Sequence, residues 1–120
     1  MLRRVVIWME VAGRRRAARR FARRLPPLMI EGWGASETYT VGQVVAALRS
    51  AGLDGAHDTI AYAGLLSEAD FLASRASEPG LPYHQARELF VQALPGGSWA
   101  AYLQQPISNE DAVRRHGIGG

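Results

Sequence analysis

Apolar residues in this chain recur at helical spacing, but only in short stretches, each cut by proline or glycine. Ala17, Ala18, Phe21, Ala22 and Leu25 form one stripe, which Pro26-Pro27 is expected to end because proline lacks the donor a helix interior needs. Pro27 can then start a short second helix through Leu28, Met29 and Ile30, with Gly32-Trp33-Gly34 as a turn. Val41, Val44, Val45 and Leu48 form the next face, opened by a Thr40/Gln43 capping box and closed by Gly52. Ile60, Tyr62, Ala63, Leu65 and Leu66 are apolar almost all round, which predicts a central buried helix capped by Asp58.

Ser67 and Asp70 open a short helix with Phe71 and Leu72 inward, and Pro79-Gly80 breaks the chain after it. Tyr83, Ala86, Leu89, Phe90, Ala93 and Leu94 then repeat at helical spacing up to Pro95-Gly96-Gly97. Ser98 caps a turn carrying Trp99, Tyr102 and Leu103, while Ser108 and Asp111 open a last helix ending near Gly117. No strand pair, heptad run or internal repeat competes with this pattern. The expected fold is all-α, a small single-domain helical bundle with a basic N-terminal helix. Residues 1–12 are expected as a poorly specified segment, 13–94 as the helical domain and 95–120 as a short helical or irregular tail.

A length of 120 residues is enough to bury a core without staples, and the absence of cysteine excludes disulfides, thiol nucleophiles and cysteine-ligated metals. No run approaches the 18 apolar residues of a membrane span. Val5-Val6-Ile7-Trp8 after Arg3-Arg4 imitates a secretory signal, but the stretch is short, is interrupted by Glu10 and lacks a cleavage site. A cytoplasmic location is therefore expected, with Met9 an alternative start.

Charge is distributed unevenly. All 14 basic residues are arginine. Nine of them (Arg3, Arg4, Arg14, Arg15, Arg16, Arg19, Arg20, Arg23, Arg24) precede residue 25 against Glu10 alone, so that segment carries +8 and the remainder −5. A basic arm on an acidic body points to an anionic partner. Compositional bias also produces arginine-only basicity beside 19 alanines and 13 glycines, and an arm lying on its own acidic body would need no partner.

Arginine's planar fork matches phosphate, and several arginines together release condensed counterions. Arg14, Arg15, Arg16, Arg19, Arg20, Arg23 and Arg24 are accordingly the expected polyanion-binding residues. Phe21 is the one aromatic interleaved with them, which supports stacking on bases weakly. An alanine-dominated stripe has little area to anchor a membrane-surface helix.

Other constellations carry less. Helices at about 41–51 and 56–66 joined by Gly52-Leu53-Asp54-Gly55 have helix-turn-helix proportions. The second, however, opens on His57, Asp58 and Thr59, and an acid at a groove-facing end repels phosphate. His57, His84 and His116 are scattered, and only the His84/Glu88 pair shares a helix face, short of the three ligands a catalytic metal needs. No metal or cofactor is expected. His57 and Asp58 are adjacent, which disfavours an orienter–base pair. No nucleophile elbow, phosphate loop, dinucleotide fingerprint or calcium loop is present. The Gly119-Gly120 end looks like a modifier tail without the β-grasp sheet that presents one.

Tyr39-Thr40, Gln43-Val44, Gly52-Leu53 and Ala61-Tyr62-Ala63, after the Arg-rich stretch Arg14 to Pro26 and before Tyr83 and Arg87-Glu88, resemble a small family of uncharacterised bacterial proteins. The resemblance covers about residues 14–94. It implies a compact helical domain with an Arg-rich first helix and a Tyr-Thr-x-x-Gln-Val motif, and brings no activity or cofactor. Leu65 and Leu66 stand where the family pattern has an aromatic, and the tail from Pro95 has no counterpart.

The leading expectation is a helical binding module whose Arg-rich helix contacts nucleic acid or another polyanion, an acidic protein among them. Its binding should weaken with salt and disappear with the arm. The alternative is a protein–protein module using Trp33, Tyr39, Trp99 and Tyr102. An enzyme built on His57, Asp58 and Tyr62 ranks last. Oligomeric state is not legible.

Overall fold

The computed structural model describes the backbone of residues 2–74 and 76–104, and side chains from Val11 onward apart from Arg75. Within the described residues six helices follow in order: α1 (Leu2–Trp33), α2 (Val41–Ala51), α3 (Asp58–Leu65), α4 (Glu68–Ser74), α5 (Tyr83–Ala93) and α6 (Trp99–Leu103). Among the described residues the only strand-like pairing is an isolated bridge, Glu78 to Leu81. The fold is all-α, as expected. The helix anticipated from Ser108 to Gly117 lies outside the described residues.

The largest departure from expectation is in α1. Pro26-Pro27 does not end it, and both prolines lie inside a 32-residue helix. A proline in a helix interior costs about 3 kcal/mol. Leu25 before the interruption and Met29 after it are buried in the same core, and Pro26 itself is fully buried. Burying a Leu or Met side chain contributes about 2 kcal/mol each, the same order as the cost, so packing carries the helix through the break. The turn comes at Gly34 instead, where φ is 90° and the amide donates to Ile30 O. Nor is α1 a detachable arm, because Ala17, Ala18, Phe21, Ala22, Leu25 and Met29 belong to the central core.

Helix α2 follows its sequence signals. Thr40 Oγ1 accepts from the Gln43 amide at 3.2 Å, Gln43 Oε1 accepts from the Thr40 amide at 3.0 Å, and Gly52 ends the helix at φ 67°. Ser67 and Ser98 cap α4 and α6 by accepting from Asp70 N and Ala101 N. Two local expectations fail. Asp58 is the first residue of α3 rather than its cap, which is His57 in a left-handed conformation without a side-chain bond. Leu72 points outward and is 66% exposed, whereas its neighbour Phe71 is buried.

Helix α3 is the hub, packed chiefly on α5 and also on α1, α2 and α4. Gly64 makes the α3–α5 approach close, since a Cβ there would lie 2.1 Å from Phe90 Cγ. Arg87 of α5 satisfies the C-terminal carbonyls of α3: its Nη1 donates to Ala63 O and Gly64 O at 3.1 Å and to Leu66 O at 3.3 Å. Trp99 Nε1 donates to Gly64 O at 3.0 Å while its ring stacks on Phe90.

Candidate functional site

The helical repeat sorts the arginines of α1. Core residues 17, 18, 21, 22, 25 and 29 share one face, which places Arg15, Arg19 and Arg23 in one row at i, i+4 and i+8. Arg16, Arg20 and Arg24 form a second row beside it, and all six side chains are exposed. At 1.5 Å per residue each row spans about 12 Å. None of the six pairs with a carboxylate among the described residues.

The rows border different neighbours. Arg15 and Arg19 line a cleft with Ala18 and with Leu89, Gln92 and Ala93 of α5, and Arg19 and Arg23 line the next one with Pro95 and Tyr102. Phe21, the aromatic interleaved in sequence, is buried and cannot stack on a ligand. Tyr102, 79 residues after Arg23, stands beside this row instead. The other row faces the α2–α3 connection, where Arg24 Nη2 donates to Ala51 O at 3.4 Å and Arg16 and Arg20 line a cleft with Gly13 and His57.

Arg14 departs from the rest. It turns inward, with 17% of its side chain exposed, and its Nη2 sits 3.2 Å from Glu78 Oε2. Glu78 Oε1 lies 3.4 Å from His57 Nδ1. The Glu78 position is set by a tight turn, in which Leu81 N donates to Glu78 O and Gly80 supplies φ 78° after Pro79. One carboxylate thus ties α1 to the start of α3. The orienting partner of His57 is Glu78, 21 residues away, and no local spacing could have disclosed it.

His57, Asp58, Tyr62 and Glu78 line a further cleft of about 460 Å³, walled also by Thr59, whose hydroxyl donates to Ala76 O. Burial pushes the Tyr62 phenol above its ordinary range, and the Asp58 charge adds to this against Arg49. These groups form no arrangement of nucleophile, base and oxyanion donors.

Other expected features dissolve or rearrange. Thr59, Ile60, Ala61, Ala63, Gly64 and Leu65 are buried, so α3 cannot enter a DNA groove. His84 pairs with Glu68 at 3.2 Å rather than with Glu88, which instead accepts from Gln92. Among the described residues no group of three His, Cys, Asp or Glu side chains gathers as metal ligands. His116 and the diglycine end lie outside the described residues. Of the four aromatics proposed as a contact patch, Trp99 and Tyr39 are in the core, Tyr102 packs edge-on against Trp99, and Trp33 is exposed. No helix in the described residues is long and apolar enough to cross a membrane.

Fold and surface together define a small all-α domain with one arginine-faced helix built into its core. The chain belongs to a family of unknown function, DUF6559, whose model matches residues 9–108. That span includes the whole Arg-rich stretch and extends the resemblance read from residues 14–94 at both ends. Neither the curated proteins nor the solved structures contain a match to the chain.

Proposed function

We propose that this protein is a polyanion-binding module that engages nucleic acid through the outward face of α1, read by backbone charge rather than by base sequence. The supporting observation is the double row Arg15/Arg19/Arg23 and Arg16/Arg20/Arg24, exposed and without carboxylate partners among the described residues. Along the about 12 Å of each row a duplex presents about seven phosphates, at one charge per about 1.7 Å. Arg14 serves the fold through Glu78 and stands behind the contact surface. In this reading the protein acts in the cytoplasm, where nucleic acid is the abundant polyanion.

The test is fluorescence anisotropy of the full chain with a 20-nucleotide RNA and a 20-base-pair DNA over a salt series. Six phosphate contacts predict a fall in log affinity of about five per decade of salt on duplex DNA. Replacing all six arginines by glutamine should abolish binding while leaving the helical content unchanged. Failure of the full chain to bind either nucleic acid at 50 mM salt would overturn the reading.

A further inference from the structure

The His57 imidazole is a partition between two clefts. On one side it lines the cleft that contains Asp58, Tyr62 and Glu78, and on the other a cleft of about 450 Å³ whose remaining walls are Gly13, Arg16 and Arg20. Its two nitrogens serve the two sides. Nδ1 lies 3.4 Å from Glu78 Oε1, and Nε2 lies towards α1, where a Cβ on Gly13 would come within 3.4 Å of it.

Two local costs converge on this nitrogen. Glycine inside a helix is less stable than alanine, and Gly13 stands inside α1. The left-handed conformation is strained for a residue with a Cβ, and His57 holds φ 61°. Strain of this kind collects at functional sites. The bare Gly13 keeps Nε2 uncovered, and the backbone of His57 aims the ring between Glu78 and α1. No carboxylate lines the Gly13 side among the described residues, whereas both Asp58 and Glu78 line the other.

We infer that the cleft of Gly13, Arg16, Arg20 and His57 binds a single phosphomonoester group. The two guanidinium groups donate to its oxygens, and the His57 ring, held at Nδ1 by Glu78, turns its Nε2 edge to the phosphate. A monoester carries close to two negative charges near neutrality and three terminal oxygens, where a backbone diester carries one charge. Two guanidinium groups and an imidazole edge around one small cleft match the monoester. The inference rests on the reading of α1 as an anion-contacting helix and sharpens it: the rows hold a backbone, and this end holds a terminal phosphate. A free nucleotide and the 5′ end of a strand present the same group.

The experiment is isothermal titration of the full chain with adenosine 5′-monophosphate, and with adenosine as control, at fixed ionic strength. The nucleotide should bind at least ten-fold more tightly than the nucleoside. Gly13→Leu, which covers Nε2 while improving helix propensity, and His57→Asn, which keeps a residue tolerant of the left-handed conformation, should each weaken the nucleotide at least ten-fold. Absence of nucleotide binding, or nucleotide binding unchanged in both variants, overturns the inference. A 5′-phosphorylated RNA that binds five-fold or more tightly than its 5′-hydroxyl twin supports the site and assigns it to strand ends. Equal affinity of the two strands beside saturable nucleotide binding supports it and assigns it to free nucleotides. Binding of the 5′-hydroxyl strand reports the arginine rows alone, so its loss would sink the polyanion reading and leave the titration standing as a separate result.

Discussion

Gly64 of α3 faces the Phe90 ring of α5 so closely that a Cβ on it would lie 2.1–2.5 Å from three ring carbons. The ring is fully buried and stacked on Trp99 with centroids 5.9 Å apart, so it has little room to shift. The two helices that hold the domain together therefore meet at a point where any side chain on Gly64 collides with Phe90. Gly64→Ala should lower stability by about 2–3 kcal/mol, the cost of overpacking a dense core. Intrinsic propensity pulls the other way by up to about 1 kcal/mol. Urea denaturation followed by circular dichroism decides the sign, and a variant as stable as the parent would contradict the packing described.

Arg87 is a structural arginine. Its fork reaches three carbonyls at the end of α3 and Glu37 O in the preceding loop at 3.4 Å. Arg87→Met should cost about 2–3 kcal/mol, since partly buried acceptors lose charged donors. Arg87→Lys should recover less than half of that, because one ammonium cannot span both segments. Equal stability of the lysine variant and the parent would show that charge alone, not the fork, is what matters.

The two arginine rows make separable predictions. Tyr102 lines the cleft beside Arg19 and Arg23, whereas the ring lining the cleft beside Arg16 and Arg20 is the smaller His57 imidazole. Base stacking on an aromatic is worth about 1–3 kcal/mol. Tyr102→Leu should therefore weaken single-stranded RNA about ten-fold and duplex DNA less than two-fold in anisotropy titrations. Equal losses on the two nucleic acids would remove stacking from the account.

Alkaline pH should destabilise the domain. Burial holds the phenols of Tyr39, Tyr62 and Tyr102 above their ordinary value of 10.0, with the Asp58 charge adding at Tyr62 and Tyr102 adding at Tyr39 against a bond at Ser36. The folded chain then keeps these protons more tightly than the unfolded one. Stability is fully present below pH 10 and declines as pH rises through the raised values. Denaturant midpoints at pH 9 and pH 11 test this, and Tyr62→Phe should flatten part of the fall.

Removing α1 is not a neutral way to test its charge. Phe21, Leu25 and Met29 sit in the same core as Leu48, Ile60 and Phe90, so a chain without the helix loses a wall of the domain. Neutralising the outward arginines leaves that wall intact.

Most boundaries of α2, α4, α5 and α6 were legible because they are set by neighbours in sequence. A threonine and a glutamine three apart close a capping box, and a glycine past the last turn takes the left-handed conformation without a Cβ clash. The concentration of arginine on α1 is likewise a property of the sequence. What that concentration faces is not. Burial of Leu25, Pro26 and Met29 against distant helices carried α1 through two prolines, against a local signal that favours ending it. Glu78 reached Arg14 and His57, and Tyr102 reached the arginine row, across separations that no helical period encodes. Local hydrogen bonding and steric preference act within about four residues, so sequence alone determined most helix boundaries outside α1 and which helix is basic. Tertiary packing acts on surface shape, and it alone decided which arginine turns inward and which histidine nitrogen stays open.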